Sequence, residues 1–404
     1  MAEQEFDTGL ITNMSERSET FRHVFDREWK SPVFLAFLKE MDLASRHDEG
    51  ILILGPTGSG KSTVARCIHE LRSHRRRHEE PTRPEITGLE GSDSKSKELR
   101  RDYLALFEQI RSQWKKGSPI QHLNLGGMSM TLAQAELFGH TPGAFTEAKR
   151  LRPGAILSAH GGTLFLDEVA DANAVTQKAL LDFLDNGCFK PEGGDFDIHV
   201  RVGVIAATNK DPIQEIEGGS FRDDLYFRLA NHILMMPALI DRMDDFELLA
   251  EGLLARQVSA YSRRDEFKAT SFSDGVLKQL KGFGKKWTGN IRQLEFVINN
   301  AFCRASDSPE IKVEHLPDAR TLYHQTRLVD RQNPTAVIDH WLPTVDFEVL
   351  KDRYVRVLND EYRGNIDLMS DRSGISRSSF YRWRKEGKLR AFEGKGGQTP
   401  PHDT

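Results

Sequence analysis

Gly50-Ile51-Leu52-Ile53-Leu54-Gly55-Pro56-Thr57-Gly58-Ser59-Gly60-Lys61-Ser62-Thr63 is a short apolar run that breaks into a glycine-rich turn and then into helix-forming sequence. The continuous apolar run predicts a parallel strand covered on both faces. Residues 63–71 continue as a helix. In the turn, glycines let backbone N–H groups converge on phosphate oxygens beside the positive end of the following helix. Lys61 adds a point charge suited to β- and γ-phosphates, and the Ser62 hydroxyl suits a Mg2+ shell. The candidate nucleotide-binding residues are therefore Gly55, Pro56, Thr57, Gly58, Ser59, Gly60, Lys61, Ser62 and Thr63. A glycine-rich turn with no ligand is the competing interpretation. The strand before it and the helix after it count against that.

Outward from this turn, strands and helices alternate. Residues 120–125, 162–167 and 200–209 read as further strands, and helical stretches, including 174–185, separate them. Residues 33–45 show apolar positions at helical spacing ahead of the first strand. Repeated β–α units predict an α/β fold, a parallel sheet flanked by helices. From about 240 to 318 the pattern is helical only. The stretch 73–119 breaks the alternation and reads as an insertion with its own helix, striped by Tyr103, Phe107, Ile110 and Trp114. Its basic cluster Arg75-Arg76-Arg77 is either a solvated surface run or a nucleic-acid contact.

Composition narrows the functional classes. The chain has 404 residues and a formal net charge of −4, so any nucleic-acid contact must come from a local basic patch. Cys67, Cys188 and Cys303 lack metal-ligand spacing and read as buried free thiols in a reducing compartment. The first ten residues lack a signal pattern, and no run approaches the roughly 20 apolar residues of a membrane span. A cytoplasmic protein without a membrane partner is expected.

The strand 162–167 ends in Asp167, followed by Glu168. An acid at that end can hold Mg2+ with Ser62, and the next can polarise an attacking water. An apolar strand ending in two acids is usually structural on its own. Here it follows a phosphate-binding turn in the next-but-one strand, which favours the chemical role. Asn209, at the tip of the strand 200–209, either senses the γ-phosphate or is a plain turn residue.

Together these residues resemble the AAA+ domain of the bacterial enhancer-binding proteins that activate sigma-54 RNA polymerase, over residues 21 to 317. Ala135-Glu136-Leu137-Phe138-Gly139-His140-Thr141-Pro142-Gly143-Ala144-Phe145-Thr146-Glu147-Ala148 resembles the family's ELFGH segment and its GAFTGA surface loop. The resemblance implies a sigma-54 contact through Gly143, Ala144, Phe145, Thr146, Glu147 and Ala148, chiefly Phe145 and Thr146. Glu147 replaces a glycine of the family pattern, which bears on backbone freedom at the contact.

The same likeness implies that Arg222 and Arg228 reach a neighbouring subunit's nucleotide, in a homo-oligomer that the family pattern makes a hexameric ring. Intrachain pairing with Asp223 and Asp224 is the alternative for both. It also implies that Arg292, within Trp287-Thr288-Gly289-Asn290-Ile291-Arg292, reaches the γ-phosphate. Asn124, ending the second strand, is either a relay to the acidic pair or a turn residue. ATP and Mg2+ are the implied cofactors.

The expected divisions are a tail (1–20), an AAA+ α/β domain (21–238, with the insertion 73–119), a helical lid (239–319), a linker (320–345), a helix-turn-helix (346–391) and a Gly/Pro-rich tail (392–404). Twenty polar residues at the front leave no room for the sensory domain most members carry. Regulation is then expected from a partner, from expression level or from the insertion.

Residues 346–362 form an amphipathic pattern, and 376–385 read as a recognition helix with Ser376 as N-cap. The segment resembles the Fis-type helix-turn-helix. Between 370 and 390, seven Lys/Arg face two acids, a local patch suited to double-stranded DNA. Arg377, Ser378 and Arg382 are the candidate contacts, Phe380 a core residue, and Tyr381 and Trp383 either. A helical protein-interaction tail is the rival. The sequence thus points to an ATP-driven transcription activator. An AAA+ remodeller of another protein or of DNA is the alternative, and a non-enzymatic DNA-binding regulator is disfavoured by Lys61, Asp167, Glu168 and Arg228.

Overall fold

The computed structural model describes residues 27–76, 83–89, 94–113, 118–145, 148–261 and 268–317, together with Ile366, Asp367, Ser370, Arg377, Ser378, Phe380 and Tyr381. The chain divides into two compact units, 1–326 and 327–404. In the first, five parallel strands make the main sheet: β1 (Ile51–Leu54), β2 (Ile120–Asn124), β3 (Thr163–Asp167), β4 (Gly203–Thr208) and β5 (His232–Met235). Their order is β5-β1-β4-β3-β2. The strand ending at Thr208 thus lies between the strand before the glycine turn and the strand that ends in the acidic pair.

The apolar runs are continuous because both faces are covered. Leu52, Leu164, Leu166, Val204 and Ala206 face a core shared with Leu137, Ile156 and Phe183. Ile51, Ile53, Phe165, Ile205 and Ala207 face the other, against Phe34, Phe37, Met41 and Ile68. The helix Pro32–Ala44 starts where Ser31 accepts from the Phe34 N–H, with proline at its first turn. Asn173 caps Ala174–Asn186, and Gly187 ends it in the left-handed region at φ +66°.

The edge strand β5 and the strand Glu85–Thr87 were not expected, whereas the helix of the insertion was. β5 pairs only with β1, and it buries Leu234 while leaving Met235 66% exposed, so it lacks the run that marks the inner strands. Within 73–119, Glu85–Thr87 adds a strand to the hairpin Cys188–Phe189 and Asp197–His199. The helix Ser94–Gln113 buries Tyr103 and Phe107 in the first core, with Ile110 packed against it. Tyr103 meets Phe196 edge-on at 5.3 Å. Trp114 and Arg77 lie outside the described residues. Arg75 pairs with Asp42 at 2.8 Å and Arg76 with Asp48, so both serve the fold at the base of the sheet.

The lid packs Phe246–Tyr261, Val276–Lys281 and Asn290–Arg304 around a third core, helical as expected apart from one short parallel pair, Ser271–Phe272 with Glu310–Ile311. All three cysteines are free. Cys67 is buried, but Cys188 is partly exposed and Cys303 exposed, against the expectation of three buried thiols. Among the described residues no helix is long and apolar enough to cross a membrane.

In the second unit Phe380 is buried and Tyr381 is 58% exposed. Arg377 Nε pairs with Asp367 Oδ1 at 3.1 Å, and Ser378 is exposed. The rest of the expected helix-turn-helix, including Arg382 and Trp383, lies outside the described residues.

Candidate functional site

The glycine turn leaves the carboxyl end of β1. Gly58 and Gly60 take φ of +74° and +109°, a region closed to most side chains. A Cβ at Gly58 would also meet Gly289 O at 2.4 Å and the Arg292 Cβ at 2.9 Å. Gly60 begins the helix Lys61–Arg75 with no side-chain cap, which leaves first-turn N–H groups for an anion. Lys61 is 8% exposed and its ammonium donates to Gly55 O at 2.8 Å and Pro56 O at 3.2 Å. Burial lowers its pKa, against the raising effect of Asp167 and Glu168.

The acidic pair lies at the same end of the sheet, one strand beyond β4. Ser62 Oγ donates to Asp167 Oδ2 at 3.2 Å, which brings together the two candidate metal ligands. Burial alone raises the Asp167 carboxyl, but His122 and the Lys61 ammonium outweigh it and hold it below its ordinary value. His122, which sequence reasoning missed, stacks on Phe165 and lies 3.7 Å from Asp167 Oδ2.

Glu168 adopts φ +54°, unusual for a residue with a side chain, and its carboxylate presses on the backbone at Gly126. Asn124 Oδ1 accepts from the Gly126 N–H at 2.7 Å, so Asn124 and Glu168 meet at one glycine. A Cβ at Gly126 would lie 1.7 Å from Glu168 Oε2. Gly126→Ala should therefore displace the carboxylate and lower turnover up to about a hundredfold, the cost of a ~1 Å misplacement. Nucleotide affinity should hold, and comparing turnover with an equilibrium binding assay checks it.

Asn209 Nδ2 donates to Thr57 Oγ1 at 2.7 Å, so the tip of β4 touches the turn. Arg292 joins it from the lid, its N–H donating to Gly58 O at 3.2 Å. Asn290, quoted in the sequence without a role, donates through Nδ2 to Thr57 O at 3.0 Å. Its φ of +54° could not have been anticipated from the sequence.

Arg222 precedes the helix Asp223–Leu229 as its N-cap residue, and Arg228 lies in its last turn. Arg222 makes two bonds to Asp224, at 2.9 and 2.6 Å, while Arg228 pairs with Asp185 rather than Asp223 or Asp224. The Arg228 carbonyl lies 2.7 Å from a Cβ built on Gly50, at the start of β1. The glycine turn leaves the other end, about 16 Å away at ~3.3 Å per strand residue, so Arg228 does not serve the turn of its own chain.

The loop 143–148 rises from a two-residue pair, Gly139–His140 with Arg152–Pro153. Gly143 N–H donates to Ala148 O at 2.7 Å, closing its base. Phe145 is 40% exposed and its ring meets His140 edge-on at 4.8 Å. Thr146 and Glu147 lie outside the described residues.

Residues 29–83 and 97–235 match the sigma-54 interaction domain, and 241–331 match the AAA+ ATPase lid domain. Within the first match only 84–96 is left uncovered, a narrower interruption than 73–119. The chain is 31% identical over 379 residues to the transcriptional regulatory protein GlrR of Escherichia coli K12, spanning 92% of this chain and 71% of that protein. It is 31% identical over 362 residues to the regulatory protein LuxO of Vibrio cholerae, spanning 85% and 58%. A Geobacillus stearothermophilus protein named limonene hydroxylase is 33% identical over 363 residues, and the chain spans 56% of it. A crystal structure of NtrX from Brucella abortus in complex with ATP has a TM-score of 0.55 at 22% identity, over 94% of this chain and 72% of that one. At that identity the likeness is one of fold.

Proposed function

Because the chain belongs to the sigma-54 interaction domain family of AAA+ proteins, we propose that it is an ATP-hydrolysing transcription activator that remodels sigma-54 RNA polymerase. The convergence of Lys61, Ser62, Asp167, Glu168, Asn209 and Arg292 at one end of the sheet carries this reading. The uncapped amides after Gly58 and the Lys61 ammonium fit a polyphosphate. Ser62 Oγ beside a carboxylate held ionised fits Mg2+, which when bound neutralises phosphate charge.

The chain's own residues then divide the work. Gly55 through Thr63 bind the phosphates. Glu168 accepts the proton of the attacking water, and Asn124 sets where its carboxylate rests. Asn209 holds the turn through Thr57. Arg228, and Arg222 beside it, complete the site of a neighbouring copy in a homo-oligomeric ring of six, for which the position of Arg228 at the start of β1 is the support.

Phe145, exposed at the rim of the loop, is the contact to sigma-54. Arg377, Ser378 and Arg382 anchor double-stranded DNA, and the setting is the cytoplasm. The domains are proposed with the divisions read from the sequence, and within the insertion 73–119 the segment 84–96 is the part outside the family match. The hydroxylase name of one relative stays with that protein. Glu147, in place of a glycine, favours a second reading, an AAA+ remodeller acting on another protein or on DNA.

Trapping the protein with an ATP transition-state analogue and probing for a stable complex with sigma-54 separates the two. Complex formation is expected. Phe145→Ala should abolish it while leaving ATP turnover intact. An active ATPase that never captures sigma-54 would sink the first reading and leave the second.

A further inference from the structure

Three successive carbonyls of the phosphate-binding turn are each held by a donor from the lid. Asn290 Nδ2 donates to Thr57 O at 3.0 Å, the Arg292 N–H to Gly58 O at 3.2 Å, and Arg242 Nη2 to Ser59 O at 3.1 Å. In a trans peptide the C=O and the following N–H point to opposite sides. The chain has no cis bond here. Fixing the Thr57 and Ser59 carbonyls from the lid side therefore turns the N–H groups of Gly58 and Gly60 the other way. The Ser59 N–H is used within the turn, donating to Pro56 O at 3.3 Å.

The two side chains involved are built in at some cost. Arg242 is 1% exposed, and its backbone (φ −133°, ψ 44°) interrupts the helical turn Leu239–Asp245. Its guanidinium lies 4.4 Å over the Phe34 ring. Asp245, fully buried nearby, accepts from the Lys30 and Ser31 N–H groups at 2.6 and 3.0 Å. Burial lowers the Arg242 pKa to about 10 with Asp245 opposing, so it remains charged at neutral pH. Burying such a charge costs several kcal/mol in general, and the bond to Ser59 O is its one hydrogen bond among the described residues. Asn290 is 2% exposed, and its Oδ1 accepts from Leu239 N at 2.8 Å, which ties the Arg242 turn to the same clasp.

We propose that Arg242 and Asn290 are positioning residues that aim the phosphate-binding amides from behind and so raise affinity for the β- and γ-phosphates of a nucleoside di- or triphosphate. This rests on the nucleotide reading above. The β- and γ-phosphates feel the effect, and the nucleoside does not.

The test uses the full chain with Arg242→Met, which keeps length and packing, and Asn290→Gly, which keeps the positive φ and removes the amide. ATP, ADP and adenosine affinities are measured by competition, with thermal melting as the check on folding. Each variant is expected to fold cooperatively, Asn290→Gly melting below the wild type because the Leu239 N–H loses its partner, and to lose about tenfold in ATP and ADP affinity, the equivalent of one hydrogen bond, with adenosine unchanged. Arg242→Lys, which restores charge and one donor, should recover most of the loss. If Arg242→Met does not fold, Asn290→Gly and Arg242→Lys decide. Folded variants that bind ATP like the wild type, or lose ATP and adenosine equally, overturn the proposal. A wild-type chain that binds neither ATP nor ADP overturns the nucleotide reading instead.

Discussion

Glu168→Ala is expected to bind ATP at least as well as the wild type and to hydrolyse it about 10²–10⁴-fold more slowly, the usual contribution of a positioned general base. The expectation follows from how the two acids are held. Asp167 is tied to Ser62 Oγ, at the start of the helix after the glycine turn, and to its own neighbour's N–H. Glu168 makes no bond to the turn. Its backbone sits in the left-handed region, and its carboxylate rests against Gly126, where Asn124 also reaches. Removing it takes away a negative charge near bound phosphate, which does not weaken binding. It also removes the carboxylate to which the proposed function gives the proton of the attacking water. Single-turnover hydrolysis set beside equilibrium ATP binding checks this, and retained turnover would refute the role.

Arg228→Ala is expected to leave ATP affinity unchanged and to reduce turnover by about 10³–10⁵-fold, the range for a guanidinium completing a phosphoryl-transfer site. Its pairing with Asp185 is at a half-exposed surface, where such a pair contributes at most about 1 kcal/mol and is readily exchanged. Arg222 is held by two bonds to Asp224 and is harder to redirect, so its loss should cost less. Mixing distinguishes a trans role from a fold defect. Arg228→Ala and Glu168→Ala chains, each inactive alone, should regain turnover together, because some sites then pair an intact Glu168 with an intact Arg228. No recovery on mixing, with each variant folded and able to assemble, would place Arg228 outside the site.

Much of this site follows from short-range sequence, and the reason is physical. The turn 55–62 needs only local backbone: glycines where φ is positive, a lysine at the helix start, and a strand ahead buried on both faces. The same holds for β3, whose unbroken apolar run reflects two covered faces and whose acids come at its end. Asn209 was open between two roles, and its bond to Thr57 aligns it with the site. The strand β5 was not legible because an edge strand alternates buried and exposed positions over only four residues. Glu85–Thr87 was missed for a related reason. Three residues make a strand only because the hairpin at Asp197–His199 offers an edge.

The α/β core, the glycine turn, the acidic pair and the family likeness are each written in residues that are neighbours along the chain, and so are legible without the fold. Tertiary structure alone decided what stands behind the turn. Arg242 and Asn290 are 183 and 233 residues from the carbonyls they hold; nothing in the flanking sequence of Arg242 marks it as a partner of that turn, and beside Asn290 the sequence pointed to Arg292 alone. A carbonyl accepts from whatever donor folding delivers, so the glycine pattern predicts the shape of the phosphate cradle but not which part of the chain holds it in place.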